Sequence, residues 1–551
     1  MIVVSFQQLK DADVKGLDTA WRSWRKTVEL LERAEDGYRG KLLAGISGAR
    51  WRGDDADSAR TMMVPVQQRF KVASAQSSSV ASVINSAVPR FTAAQKKLLD
   101  AISVAQAEYL KVGPDGSLDF PTSLPPRYSS WEEFQKKAQQ IQARFVAAVR
   151  EASAADQEIA AALRRLGADI MAKENPLKEL RDESKMATQL AGFNPANIPP
   201  RGAKTPRQVA DWWKALPEEQ RHLLMNAYPE KIGWLNGIPS EDRDEANRTR
   251  LQSRVQQLRE IPEDQRTDFQ KRDLARLEML DRTIAGYEVK GKDMYLLGLD
   301  STVTGKKETD DGSDGRVIVS IGNPDTAKIN SVYVPGTESD LTKANGALSR
   351  AFAINEATGL HTQQSVATTM WLGYDAPDDV KWNAGGGHYA DQGGPRLNSF
   401  LDGVREAQST EGNQGSRLSL LGHSYGSTVI GEAANAKYRR LPVDDIIVAG
   451  SPGMRVSNAE DLGIGASNVW AQAAHDDPVP KIGRIAHGGG LLVPSDDSFG
   501  ANRLPVGDPD HGQGGHSNYY NQVVGGGNSY SFSGASGSLD QQARVIAGLR
   551  R

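Results

Sequence analysis

The segment Leu418-Ser419-Leu420-Leu421-Gly422-His423-Ser424-Tyr425-Gly426-Ser427-Thr428 holds the residues best suited to covalent chemistry. An apolar run, then Gly-x-Ser-x-Gly, then small residues reads as a strand, a very tight turn and a helix. Gly422 and Gly426 give the crowded turn room, and the turn pushes the Ser424 hydroxyl clear of the sheet edge. The backbone N–H of Tyr425 then falls at the helix N-terminus, where it can face an oxyanion. With 54 glycines in the chain, the five-letter pattern alone is weak, and its weight comes from the strand-to-helix context. The chemistry it fits is attack of a serine hydroxyl on an acyl carbonyl.

Such a serine needs a general base and an acid to orient it, in the chain order Ser, Asp/Glu, His. The next strand-like run is Val469-Trp470-Ala471-Gln472-Ala473-Ala474, followed by His475-Asp476-Asp477-Pro478-Val479-Pro480. A carboxylate at a strand's C-terminal end faces the side where ligands sit in open α/β sheets. Asp477 is the first choice for the acid and Asp476 the alternative, against the plainer reading that both open the turn before Pro478. The chain has eight histidines, and His487, His511 and His516 follow this acid. His516, in Gly514-Gly515-His516-Ser517-Asn518-Tyr519-Tyr520, fits a late loop before the last helix and is the expected base. His511, in Asp508-Pro509-Asp510-His511-Gly512, is the alternative and fits a surface turn. His423 and His475 flank catalytic positions and read as structural or pocket-lining. Val332-Tyr333-Val334-Pro335-Gly336-Thr337 offers a second oxyanion donor, the Thr337 N–H, with Gly336 making the turn. Gly385-Gly386-Gly387-His388 is a candidate pocket border or lid. No metal or organic cofactor is expected, and the absence of cysteine removes disulfides and thiolate sites.

These residues need a sheet to hold them. Arg316–Ile321, Ser331–Val334, Ser365–Trp371, Arg417–Leu421, Ile446–Ala449 and Val469–Ala473 read as strands, and 340–357, 397–408 and 427–438 as helices. Alternation of the two predicts a mostly parallel sheet covered on both faces. The first half is helical. Leu17, Trp21, Trp24, Val28 and Leu31 form one apolar stripe. Met63, Val66, Phe70 and Ala73 form another, extended by Val80, Ile84 and Ala87. Phe134, Ala138, Ile141, Phe145 and Val149 repeat the pattern, with Ile159, Leu163 and Leu166 beyond. Stripes that cannot be buried singly predict an antiparallel bundle. Breaks are expected at Gly113-Pro114-Asp115-Gly116 and Pro125-Pro126, and a linker from Asn194-Pro195 to Pro199-Pro200-Arg201-Gly202.

The expected organisation is a helical region at 1–200 and a catalytic domain at 201–551. The latter comprises a helical lead-in at about 205–290 and a core at about 291–551. Charges in the lead-in read most simply as solvated helix faces. A net charge of -3 argues against a nucleic-acid partner. No apolar run reaches about 18 residues, so no transmembrane segment is expected. The first ten residues lack the pattern of a classical signal peptide, which makes the cytoplasm the default expectation.

The region from about 205 to 551 resembles the actinobacterial α/β-hydrolase domain family that long lacked an assigned function. Trp212-Trp213-Lys214-Ala215-Leu216, Gly237-Ile238-Pro239 and Arg243-Asp244-Glu245-Ala246-Asn247-Arg248 carry the likeness. So do Tyr333-Val334-Pro335-Gly336-Thr337, Trp371-Leu372-Gly373-Tyr374-Asp375-Ala376-Pro377, the serine turn and Asp477-Pro478-Val479. Ser498-Phe499-Gly500-Ala501 and His516-Ser517-x-Tyr519 complete it. The resemblance implies an α/β-hydrolase fold, a Ser-Asp-His triad and kinship with lipases, cutinases and esterases, hence a small-molecule or lipid ester substrate. Trp51-Arg52-Gly53, between two amphipathic helices, resembles the Trp-x-Gly hairpins exported by type VII secretion systems. That implies possible export and a helical protein partner, or self-association, through residues 1–200. Tyr128-Ser129-Ser130-Trp131-Glu132 matches the Tyr-x-x-x-Asp/Glu export signal in letters, though it does not closely follow the hairpin.

Overall fold

In a computed structural model the described residues are 4–38, 54–167, 176–301, 315–337, 339–377, 387–435, 440–486, 492–506, 515–521 and 537–550. The chain divides into two compact units, Met1–Asn197 with Leu216–Tyr228, and Ile198–Ala215 with Pro229–Arg551.

The first unit is built from α1 (Phe6–Lys10), α2 (Val14–Gly37), α3 (Asp54–Ala107), α4 (Trp131–Leu166) and α5 (Pro176–Leu190). The stripes at Phe70–Ala87 and Phe134–Leu166 fall on the single long helices α3 and α4. Leu98, Ile141, Phe145 and Phe134 form one buried cluster with Phe6 of α1, and Val83, Ala87, Ile159 and Leu166 another. On α2, Val28 is buried but Trp24 is 37% exposed, so that stripe is only partly covered. The break at Gly113–Gly116 is the turn of a small antiparallel hairpin, β1 (Lys111–Val112) with β2 (Leu118–Asp119). Tyr128 donates a 2.6 Å hydrogen bond to Glu108 and packs on Phe134. Trp51-Arg52-Gly53 lies outside the described residues.

The second unit opens with α6 (Pro206–Ala215). The intervening α7 (Glu218–Ala227) belongs to the first unit, where Leu223 joins the Val83 cluster. The stretch at 205–290 is therefore shared between the units. α8 (Pro229–Ile232), α9 (Ser240–Glu260) and α10 (Asp268–Glu288) then lead to an eight-stranded sheet. Its strands are β3 (Met294–Asp300), β4 (Arg316–Ile321), β5 (Ile329–Val334), β6 (Val366–Leu372), β7 (Arg417–His423), β8 (Asp445–Ala449), β9 (Val469–Gln472) and β10 (Asn502–Arg503). The order is β10-β9-β8-β7-β5-β6-β4-β3. β4 pairs antiparallel with β3 and β6, and the remaining pairs are parallel. A mostly parallel sheet following a helical region is the architecture expected. The helices are α11 (Ala344–Gly359), α12 (His388–Thr410), α13 (Tyr425–Ala433), α14 (Val479–Ala486) and α15 (Gly537–Ile546). Residues of β5 and β7 are almost all buried, as strands covered on both faces must be.

The charged lead-in departs from expectation. Arg243, Asp244, Asn247, Asp273 and Arg276 are buried, not solvated. Asp273 and Arg276 pair with each other and hold Ser301 just past the sheet's edge strand, β3, while Arg243, Asp244 and Asn247 serve the backbone of β3 itself. Asp244 accepts the Leu296 N–H at 2.6 Å, Asn247 donates to the Leu296 carbonyl at 3.0 Å and Arg248 to that of Met294 at 2.8 Å. Arg243 donates to Leu297, and Trp234 to Leu299 at 2.9 Å. Asp244 and Arg248 also pair with each other at 2.7 Å. An edge strand exposes unpaired N–H and C=O groups, and here side chains satisfy them.

Candidate active site

β7 delivers Ser424 on a strained turn. Ser424 has φ 53° and ψ −129°, a region L-residues rarely occupy. It precedes α13 as the N-cap residue, yet its hydroxyl makes no capping bond to that helix. The backbone explains the flanking glycines. A Cβ on Gly426 would stand 2.2 Å from the Val334 carbonyl, and one on Gly422 2.9 Å from the Ser427 nitrogen.

The ends of β7, β8 and β9 are joined in steps. The Ser424 N–H bonds the Ala449 carbonyl at 3.0 Å, and the Gly450 N–H bonds that of Gln472 at 3.0 Å. Asp477 lies just past β9, 1% exposed. Both its carboxylate oxygens stand 3.0 Å from His516 Nδ1. A Cβ on Gly450, which has φ +59°, would come within 2.7 Å of Asp477 and 2.9 Å of His516 Nδ1. The Asp–His pair is thus packed against the backbone that follows β8. Asp476 turns elsewhere and accepts the Gly515 N–H at 2.7 Å. Of the two neighbouring aspartates, Asp477 is the one facing the histidine. Burial raises the Asp477 pKa, but hydrogen bonds from His516 and Tyr519 outweigh it and hold the carboxyl below its ordinary value.

Thr337 follows β5 on a loop that abuts the serine. A Cβ on Gly336 would lie 2.7 Å from Ser424 Cβ and 3.0 Å from the Tyr425 nitrogen. The Tyr425 N–H is the first of α13, where helix donors have no carbonyl a turn earlier. His475 is exposed, and His487, His511, Gly385 and Gly386 lie outside the described residues. Gly387 and His388 sit at the start of α12.

Three residues brace this arrangement: Tyr374 and Tyr519, whose roles the sequence does not disclose, and His423, expected as structural or pocket-lining. Tyr374 donates a 2.8 Å hydrogen bond to the Pro335 carbonyl and stacks on Trp371. Tyr519 is fully buried and donates to Asp477 Oδ2 at 2.7 Å. His423 Nε2 lies 2.8 Å from the His516 carbonyl, and the two imidazole rings are 4.8 Å apart. Their signal was present as aromatic letters inside the Trp371–Pro377, His516–Tyr519 and serine-turn motifs. Among the described residues, one side-chain group has metal-ligand character: Glu32, Glu218 and His222 of the first unit, with ligand atoms within 4.8 Å of one another. His222 lies 3.0 Å from Glu32 and Arg25 3.9 Å from Glu218, so ion pairing already accounts for the group.

A mostly parallel sheet with a serine on a left-handed turn after a central strand defines an α/β-hydrolase architecture. Comparison agrees: residues 310–487 match the alpha/beta hydrolase family Abhydrolase_8, a span that includes Ser424 and Asp477 and ends before His516. The second unit therefore carries an alpha/beta hydrolase domain. An uncharacterized protein of Mycobacterium tuberculosis, Rv2079, is 29% identical over 318 residues, covering 53% of this chain and 46% of its own length. The chain thus spans about half the length of that relative. Rv0963c of M. tuberculosis and Mb0988c of Mycobacterium bovis, both uncharacterized, are each 30% identical over 186 residues, 31% of this chain and 65% of theirs.

Proposed function

We propose that the second unit is a serine hydrolase that cleaves acyl esters through Ser424, His516 and Asp477. The observation that carries this reading is the Asp477–His516 pair, with Asp477 just past β9 and both residues packed against Gly450 after β8, next to the strand that carries Ser424 on a left-handed turn. Ser424 attacks the carbonyl while His516 takes its proton. Asp477 fixes the Nδ1–H tautomer and balances the imidazolium. The N–H groups of Thr337 and Tyr425 receive the oxyanion, each contributing roughly 3 kcal/mol. His516 then protonates the leaving alkoxide, and water, deprotonated by His516, releases the acyl group.

Labelling with a fluorophosphonate probe tests the reading, with the adduct located by mass spectrometry. The label is expected on Ser424, absent in Ser424→Ala and strongly reduced in His516→Ala. A folded wild type that takes no label supports the rival reading, a docking scaffold without chemistry. Comparison of matched ester and amide substrates then separates an esterase from an amidase.

A second role is favoured by one observation. α2 leaves Leu30 62% exposed and Trp24 37% exposed, which fits a helical partner or self-association through the first unit. Sedimentation of the full chain and of Leu30→Glu tests this. A concentration-dependent increase in mass in the wild type, absent in the variant, is expected for self-association.

A further inference from the structure

We propose that His423 and Tyr519 are positioning residues, His423 holding the base of the site and Tyr519 its acid. The inference rests on the reading of Ser424, His516 and Asp477 as a triad.

The atoms define the roles. A carbonyl oxygen only accepts, so His423 Nε2, 2.8 Å from the His516 carbonyl, carries the proton and donates. This bond ties the backbone of the histidine-bearing segment to the residue beside the nucleophile. The ring of His423 is buried, faces that of His516 at 4.8 Å, and is flanked edge-on by Tyr519 and Tyr520. Burial, and next the neighbouring His516, lower its pKa to about 3, so it stays neutral beside a base that must become charged. Its donor is committed, which leaves it a structural partner of the base and not a second base.

Tyr519 acts on the acid. Its oxygen accepts the Ala474 N–H at 2.8 Å, which aims its own proton at Asp477 Oδ2, 2.7 Å away. Asp477 Oδ1 accepts the Val479 N–H at 2.9 Å. A buried carboxylate needs several donors to remain ionised. With the hydroxyl on one oxygen and an amide on the other, the carboxylate is kept from rotating away from His516. Ala474 and Val479 lie on either side of Asp477 in sequence, so Tyr519 links the segment bearing the base to the end of β9.

Three variants of the full chain test this, read by the rate of fluorophosphonate labelling at Ser424 and by hydrolysis of a short p-nitrophenyl ester from pH 5 to 9. His423→Phe keeps a ring and removes the donor, His423→Gln keeps a donor, and Tyr519→Phe removes one hydroxyl. His423→Phe and Tyr519→Phe are expected to lower kcat roughly 10- to 100-fold with KM nearly unchanged, the scale of a small misplacement of a catalytic group. His423→Gln is expected to recover part of the loss. Tyr519→Phe has a further signature. With one donor fewer, Asp477 places more negative charge on the His516 imidazolium, so the acid limb of the rate profile moves to higher pH and the loss is greater at pH 6 than at pH 8. Folded variants with wild-type rates and profiles would overturn the inference while leaving the triad intact. So would equal losses in His423→Phe and His423→Gln together with an unshifted profile in Tyr519→Phe. A wild type that takes no label at Ser424 would overturn the triad and this inference with it.

Discussion

The hydroxyl of Tyr374 donates a 2.8 Å hydrogen bond to the carbonyl of Pro335, the residue immediately before the Gly336–Thr337 turn. Tyr374 is fully buried, and its ring stacks on Trp371 at the end of β6. The bond therefore fixes the loop carrying the Thr337 N–H to a neighbouring strand. Tyr374→Phe preserves the stack and frees the loop. We expect kcat/KM to fall about 10-fold, chiefly in kcat, since a loosened oxyanion donor weakens transition-state binding more than ground-state binding. Steady-state kinetics on a p-nitrophenyl ester measures this, and an unchanged kcat would remove Tyr374 from the account.

Ser424 occupies a backbone region that glycine enters freely. Ser424→Gly should abolish labelling and raise stability by about 1–2 kcal/mol, the strain of holding an L-residue there. Ser424→Ala should abolish labelling without that gain. Denaturant titration of the two variants compares them directly, and equal stabilities would mean that the turn is unstrained.

A pH dependence follows from His423. Its folded pKa of about 3 lies below its unfolded value of about 6.5. Between those limits the unfolded chain binds the extra proton, so acid destabilises the fold by up to about 1.4 kcal/mol per pH unit through this residue. Asp325, raised by burial to about 6, works in the opposite sense from about pH 6 down to about 4, where the folded chain binds more protons. His423→Gln retains Asp325 and removes the histidine. The stability difference between wild type and variant should therefore shift in favour of the variant as pH falls from 7 to 5. Denaturation at three pH values tests it, and a constant difference would count against a neutral buried His423.

Asp244 is 7% exposed and serves both Arg248 and the Leu296 N–H. Asp244→Ala leaves the Leu296 N–H unpaired and Arg248 with Glu288 as its remaining carboxylate, and should cost about 2–3 kcal/mol. A melting curve of the full chain provides the check. A loss below about 1 kcal/mol would mean the pair behaves as an exposed one.

What the sequence discloses depends on how local the constraint is. The turn around Ser424 is set by adjacent residues, so its glycines and its strand-to-helix context can be read directly. The two aspartates after β9 are neighbours, and the way each points is decided by the turn that folds Gly515 onto Asp476, which no periodicity records. β3 passed unnoticed because Met294-Tyr295-Leu296-Leu297-Gly298-Leu299 is rich in leucine and methionine, which favour helix as readily as strand. The polar residues of α9 looked solvated because a side chain that bonds water and one that bonds a strand's backbone are the same letters. Tyr374 and Tyr519 are likewise typical core aromatics until their hydroxyls are seen to find Pro335 and Asp477.

The side chains that α9 lays along β3 also separate the unit of ancestry from the unit of folding. The family match starts at residue 310, past both elements. A fragment cut there would lack β3 and leave β4 as a naked edge, ready to recruit a strand from any neighbouring molecule. Transplanting this domain into another chain thus requires carrying the whole second unit, Ile198–Ala215 with Pro229–Arg551. The Arg243–Arg248 motif would travel with the Ser424 turn for a reason unrelated to chemistry: it occupies the backbone groups of the edge strand.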